Sequence, residues 1–165
     1  MRIEFLFSEL NGFAIFDLKS LVDFKEKHIK GNDILTPLVE TNLGEEISAN
    51  GIAIPIIDIE ADDYGFVLNI NERSYLSEVE VKSTGWILNS TGILGICGIG
   101  YLKDFTLEKL IKINKIIEFK VPKGWLKIEI YGGVNNDYVP VFEIVAKEST
   151  EKPEFEGDLS TSFNF

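Results

Sequence analysis

Residues 86–131, WILNSTGILGICGIGYLKDFTLEKLIKINKIIEFKVPKGWLKIEIY, contain most of the information about the fold. Trp86–Leu88 and Gly92–Ile99 are apolar runs, and the turn residues between them predict two separate strands. Thr106–Lys115 has apolar residues at helical spacing, which predicts one short helix. The stretch therefore mixes strands with a helix, and the strands predominate.

The second part of this stretch predicts two more strands. Ile116–Val121 and Trp125–Tyr131 are apolar and aromatic, and they face each other across the turn Pro122–Gly124. After the glycine- and asparagine-rich turn at residues 132–137, Tyr138–Ala146 has the composition of a last core strand. We therefore expect the C-terminal half of the domain to be mainly sheet.

The N-terminal residues predict strands on either side of a turn, followed by a helix. Arg2–Phe7 and Phe13–Phe16 have strand composition, and Asn11-Gly12 between them is a two-residue hairpin signal. Asp17 has the properties of a helix N-cap, and Gly31-Asn32 ends that helix.

The middle of the chain has weaker patterns. Leu35–Thr41 is compatible with an edge strand, because Pro37 lacks an amide donor, and Asn42–Asn50 resembles a polar loop. Gly51–Glu60 and Tyr64–Asn71 alternate and predict a hairpin around three turn residues, and Leu76–Lys82 predicts another strand.

Together these segments predict an α+β fold that is mainly β. About nine strands joined by short turns indicate an antiparallel sheet or sandwich, with two short helices on one side. We expect residues 1–147 to form a single domain. Residues 148–165 hold five acids, one lysine and two breakers, so we expect a mobile acidic tail whose loss costs little stability.

The charge of the chain argues against nucleic acid as a partner, and the lengths of its apolar runs argue against a membrane. The formal net charge is -11, and Asp33–Glu80 holds eleven acids against one base, Arg73. A surface of this sign disfavours direct binding of nucleic acid, because phosphates require cations.

No apolar run is long enough to span a membrane, and Glu4 interrupts any signal peptide, so we expect a cytoplasmic protein.

Few residues suited to catalysis or to a cofactor are present. His28 and Cys97 are the only histidine and the only cysteine, so the usual zinc ligand sets are not available. Gly95–Gly100 matches neither the phosphate-loop nor the dinucleotide-loop pattern. We therefore expect no catalytic residues, no metal, no cofactor and no enzymatic activity.

Four carboxylates lie close together around one predicted turn: Asp58, Glu60, Asp62 and Asp63. Hard cations bind such groups, but the calcium-loop pattern is absent, and a pair of these acids could instead serve a hydrolase. The interpretation that we prefer is a solvated acidic turn that contacts a basic protein partner. Trp86 and Trp125 leave open a second interpretation, a β-rich module that binds a small ligand or carbohydrate on a tryptophan platform.

The segment Asp63–Ala146, about half of the chain, resembles small bacterial inhibitor and immunity proteins, in particular the competence protein J family of nuclease inhibitors. The resemblance rests on Tyr64–Ile70, Gly92–Ile96 and Ile117–Ile128, the last of which contains a strand, Pro-Lys-Gly and a second strand. The resemblance implies a non-enzymatic protein that binds a cognate toxin or nuclease, and it assigns no functional residue.

We therefore expect an immunity protein that neutralises a bacterial toxin through an acidic surface, with a nuclease as one candidate toxin.

Overall fold

The computed structural model describes residues 2–165, so Met1, the first residue of the predicted domain, lies outside the described residues. Within residues 2–165, nine strands form two sheets, which confirms the mainly β, α+β class. The strands are β1 (Glu4–Phe7), β2 (Phe13–Asp17), β3 (Ala53–Ile56), β4 (Asp63–Ile70), β5 (Val81–Ser90), β6 (Ile93–Gly98), β7 (Ile116–Lys120), β8 (Gly124–Val134) and β9 (Pro140–Glu148).

The larger sheet has the order β1-β4-β9-β8-β5, and the smaller sheet has the order β3-β2-β6-β7. Neighbouring strands are antiparallel except β4 and β9, which run parallel with Gly65–Ile70 beside Val141–Ala146. β8 and β9 form the one hairpin of the larger sheet that joins consecutive strands. The two sheets pack face to face as a sandwich.

Three links that were expected to be hairpin turns instead connect strands of different sheets. β1 pairs with β4 and not with β2, so Asn11-Gly12 does not join a hairpin. β3 and β4 likewise belong to different sheets, as do β7 and β8 on either side of Pro122–Gly124. The hairpin predictions for these three links are therefore wrong. The residues that favour a tight turn redirect the chain, and they do not determine whether the two strands on either side pair with each other.

Four helices pack on the outer face of the smaller sheet, two more than the sequence predicts. They are α1 (Leu18–His28), α2 (Leu35–Glu40), α3 (Leu43–Ala49) and α4 (Leu107–Lys112). The N-cap prediction for α1 is confirmed, since the Asp17 carboxylate accepts a hydrogen bond from the Ser20 amide at 3.1 Å. α2 and α3 replace the predicted edge strand and polar loop. Among residues 2–165, no helix has both the length and the apolar character needed to cross a bilayer.

The core has two layers because β2 is buried on both faces. Phe13 and Ile15 point between the sheets, whereas Ala14 and Phe16 point toward the helices. The alternation expected of a strand with one wet face is therefore absent here, and Phe13–Phe16 is a continuous apolar run.

A small hydrophobic cluster, separate from the two core layers, lies on the outer face of the larger sheet, under the loop that joins β4 to β5. Residues 76–80 belong to this loop, so the predicted strand Leu76–Lys82 begins only at Val81. Glu143 of β9 lies beneath the loop and is 0% exposed. Its carboxylate accepts hydrogen bonds from the amides of Ser74, Tyr75 and Leu76 at 2.8–3.0 Å.

The C-terminal segment, residues 148–165, packs against the sandwich. Phe163 is 1% exposed within the core between the sheets, and its amide donates to the Ile57 carbonyl at 3.2 Å. The Glu156 amide donates to the Gly85 carbonyl of β5 at 2.9 Å. These contacts favour a docked segment, so we replace the expectation of a mobile tail with the prediction of a docked one. Three aromatic side chains supply the apolar area that the acids of this segment lack: Phe155, Phe163 and Phe165.

Candidate functional site

The four acids singled out from the sequence lie on the link between β3 and β4, where the chain crosses from the smaller to the larger sheet. Asp58, Glu60 and Asp62 belong to the link itself, and Asp63 is the first residue of β4. All four residues are exposed. We call residues 57–63 the acidic link.

Ser8 fixes the backbone of the acidic link. This residue is buried, its amide donates to the Asp62 carbonyl at 3.0 Å, and its hydroxyl donates to the Glu60 carbonyl at 3.0 Å. The Asp62 amide donates back to the Ser8 hydroxyl at 3.0 Å. Because these polar groups of the backbone are paired inward, the carboxylates are left to face the solvent.

Two further contacts hold the middle of the acidic link. The Asn11 side-chain amide donates to the Ile59 carbonyl at 3.1 Å, and the Tyr64 hydroxyl donates to the Glu60 carbonyl at 3.1 Å. Ile59 itself is buried in the core between the sheets. The four acids therefore belong to a segment whose backbone is held by hydrogen bonds at both ends and in the middle.

The carboxylates themselves have few partners. Asp58, which has a positive φ of 58°, accepts from the Ser162 hydroxyl at 2.6 Å, and Asp62 accepts from the Asp63 amide at 2.7 Å. Within residues 2–165, no lysine or arginine forms an ion pair with any of the four. Their negative charge is therefore not cancelled by an adjacent cation.

A cation site is another role that four neighbouring carboxylates can have. In the part of the chain that the structure describes, no group of three or more His, Cys, Asp or Glu side chains is arranged to hold a metal ion. The Asp58 carboxylate already accepts a hydrogen bond from the Ser162 hydroxyl at 2.6 Å.

Two exposed aromatic residues, which were not predicted as contact residues, lie beside the acidic link. Phe7 is the cross-strand partner of Asp63, so both side chains are on the same outer face of the larger sheet. Phe5 and Phe7 are 51% and 43% exposed, whereas Leu6 between them points into the core. The signal was present in the sequence, because two aromatic residues at alternate positions of an edge strand must share one face.

The other candidate residues are not brought together. His28 is exposed at the end of α1 and packs against Phe24, with 4.8 Å between the ring centroids and 37° between the ring planes. Cys97 is buried in β6, and its burial raises the pKa of the thiol to about 12, so the thiol stays protonated at neutral pH.

Neither tryptophan presents an open platform. Trp86 is 1% exposed, and its indole donates to the Ser83 hydroxyl at 2.9 Å within the fold. Trp125 is half-buried, and the Lys152 ammonium lies 5.5 Å from its ring centroid. Stacking of a sugar ring needs a free aromatic face, which Trp86 does not have.

Comparison with known proteins shows that one solved structure has a similar fold. No family model matches the chain, and no curated protein matches its sequence. Among solved structures, the chain is similar to the crystal structure of ComJ, inhibitor of the DNA degrading activity of NucA, from Bacillus subtilis. The match covers 90% of this chain and 96% of that chain, with a TM-score of 0.55 and 15% sequence identity. The resemblance expected from the sequence is confirmed, and at this identity it concerns the fold.

Proposed function

We propose that this chain is a non-enzymatic cytoplasmic inhibitor, an immunity protein that neutralises a bacterial toxin with nuclease activity. Two findings support the proposal. The fold is similar to that of ComJ, which is described as an inhibitor of a DNA-degrading activity. The acidic link presents carboxylates of the kind that a phosphate-binding protein attracts.

The observation that carries the proposal is the acidic link, with four exposed carboxylates on an anchored backbone. A nuclease must present cations to bind the phosphates of its substrate. A protein surface with fixed negative charges matches such a cleft, and the opposed potentials accelerate the encounter. Because Ser8 and Asn11 already hold the link in place, little conformational entropy is lost on binding.

The exposed aromatic residues of β1 complement the charges. Binding energy in protein interfaces comes mostly from a few large side chains that lose their water, while charges at the rim set specificity and rate. Phe5 and Phe7 lie on the same face as Asp63 and are about half exposed. We assign them as apolar contacts beside the acidic link, with Asp58, Glu60, Asp62 and Asp63 as the charged contacts.

The function is tested by adding the purified chain to a nuclease and following the degradation of duplex DNA. The enzymes tested are NucA and any nuclease that a gene flanking the gene of this chain encodes. We expect DNA cleavage by the cognate nuclease among them to stop at one equivalent of the chain, because inhibition by occlusion of the cleft is stoichiometric. DNA cleavage that continues unchanged at a tenfold excess over every nuclease tested would contradict the proposal.

A further inference from the structure

An open apolar groove of about 350 Å³ lies between the helix pair α2–α3 and the edge strand β3. The side chains that line it are mainly aliphatic; the principal ones are Leu35, Leu38, Val39, Ile47, Ile57 and Leu159. Val39 is 74% exposed at the mouth of the groove. A fold of this size has no need of a concave aliphatic surface in water, so this surface is a candidate for a partner.

The groove is a built feature of the fold. A Cβ atom on Gly44 would lie 2.6 Å from the Leu38 carbonyl oxygen, so glycine is what lets α3 approach α2 closely. The Ser48 hydroxyl donates to the Ala53 carbonyl at 2.9 Å and ties α3 to the edge of β3. Leu159 of the docked C-terminal segment lines the groove as well.

The edge of β3 itself is closed to a further strand. Ser48 occupies the Ala53 carbonyl, Pro55 has no amide to donate, and the Ile57 carbonyl accepts from Phe163. A partner at this place must therefore use side-chain contacts in the groove and not strand addition.

Among the described residues that line the groove, the charged one is an acid. Residues 31–72 contain no lysine or arginine, and the residues outside this range that line the groove are also uncharged. Glu45 lines the groove, and Glu40 and Glu46 are exposed on the same helix pair. Ile57 lines the groove and is followed by Asp58, so the groove is continuous with the acidic link.

We propose that this groove receives an apolar side chain from a basic amphipathic segment of a protein partner. The inference rests on the proposed function and adds what the partner must present: an aliphatic or aromatic anchor with lysines or arginines on either side. The aliphatic side chains at the bottom of the groove would bury the apolar anchor. The acids at the rim would attract the lysines or arginines beside that anchor. A second copy of this chain is disfavoured as occupant, because two molecules of charge -11 repel each other.

The test uses the full chain labelled with ¹⁵N and two synthetic 14-residue amphipathic peptides, one of leucine and lysine and the other of leucine and glutamate. At 150 mM salt, we expect the lysine peptide to shift the amide signals of Leu38, Val39 and Ile47 and to saturate at one equivalent. The glutamate peptide is expected to leave these signals in place.

Matched variants separate the groove from general attraction to an acidic protein. Val39→Lys is expected to weaken binding of the lysine peptide about tenfold or more. Ile111→Lys makes a similar change at an exposed position of α4, 54% accessible, and should weaken binding less than twofold. Both side chains are mostly in water, so both variants should fold.

Signal shifts spread over all acidic segments, or equal effects of the two variants, would overturn the inference. So would a concentration-dependent dimer that accounts for the shifts without peptide. The nuclease titration remains independent of this result. If the chain inhibits a nuclease but the lysine peptide does not bind the groove, the groove proposal is rejected and the proposed function stands. If the peptide binds the groove but no nuclease is inhibited, the proposed function is rejected and the groove proposal stands.

Discussion

Glu143→Ala is expected to lower the free energy of unfolding by about 3–5 kcal/mol, because it removes a buried carboxylate on which several donors depend. The side chain is 0% exposed and accepts from three consecutive backbone amides and from the Asn69 side-chain amide at 2.6 Å. The Arg73 guanidinium lies 3.8 Å from the same carboxylate. Alanine leaves these donors unpaired and the arginine without its counter-ion. Urea denaturation followed by the fluorescence of buried Trp86 measures the change.

The control for this prediction is Glu148→Ala on the same strand. Glu148 is exposed, so its loss should change the stability by no more than about 0.5 kcal/mol. Hydrogen exchange gives a second readout, since the amides of Ser74, Tyr75 and Leu76 should lose protection only in the Glu143 variant. An unfolding midpoint equal to that of the unaltered chain would show that the loop does not depend on this carboxylate.

Phe163→Ala is expected to cost about 3–5 kcal/mol, the usual loss for a buried phenylalanine. Phe163 is 1% exposed and packs edge-on against Phe142, with 6.2 Å between the ring centroids. Deletion of residues 154–165 should cost more, because Phe155, Leu159 and Phe165 are lost with it. Thermal and urea denaturation of the variants measure the loss.

The matched control for the docked segment is Phe5→Ala, since Phe5 is half exposed and its truncation leaves no cavity. We expect a loss of at most about 1 kcal/mol there. If deletion of residues 154–165 also cost less than about 1 kcal/mol, the segment would be mobile, as the sequence alone suggests.

The strands could be predicted from the sequence, but their partners could not. Alternation shows that a strand has a buried face, and it does not say which sheet the strand joins. The links at Asn11-Gly12 and Pro122–Gly124 have the residues of tight turns, yet each carries the chain to the other sheet. The pairing of β4 with β9 joins residues more than seventy positions apart, for which no local signal exists.

The helix pair was missed for a different reason. α2 and α3 are six and seven residues long, too short for a helical period to stand out. Pro37 suggested an edge strand, but it lies in the first turn of α2, where no amide donor is needed. Because these two short helices could not be predicted, the groove between them and β3 could not be predicted either.

The exposure of the four acids agrees with the sequence, and their contact with a partner remains a prediction. What the sequence did not reveal is how they are held, because Ser8 and Asn11 act from a link about fifty residues away. Glu143 was recognisable in principle, as one acid inside the apolar run Val141–Ala146. A lone acid at such a position indicates a buried carboxylate with dedicated donors.

The central claim, that the acidic link guides a basic nuclease onto this chain, is tested most directly by association kinetics. The measurement is the association rate constant of the nuclease inhibited in the DNA-cleavage titration with the unaltered chain and with Asp62→Lys/Asp63→Lys, at 0.05 M and 0.5 M salt. We expect the double variant to associate about tenfold more slowly or worse at low salt, and the difference to shrink at high salt, where screening shortens the range of the charges.

The control is Glu26→Lys/Glu108→Lys, which changes the net charge by the same amount at exposed positions of α1 and α4. Its association rate constant should stay within about threefold of the unaltered chain, because the charges lie away from the acidic link. A slower association of the Asp62 and Asp63 variant alone is the result that the account predicts. Equal association rate constants for the unaltered chain and that variant at low salt would contradict it.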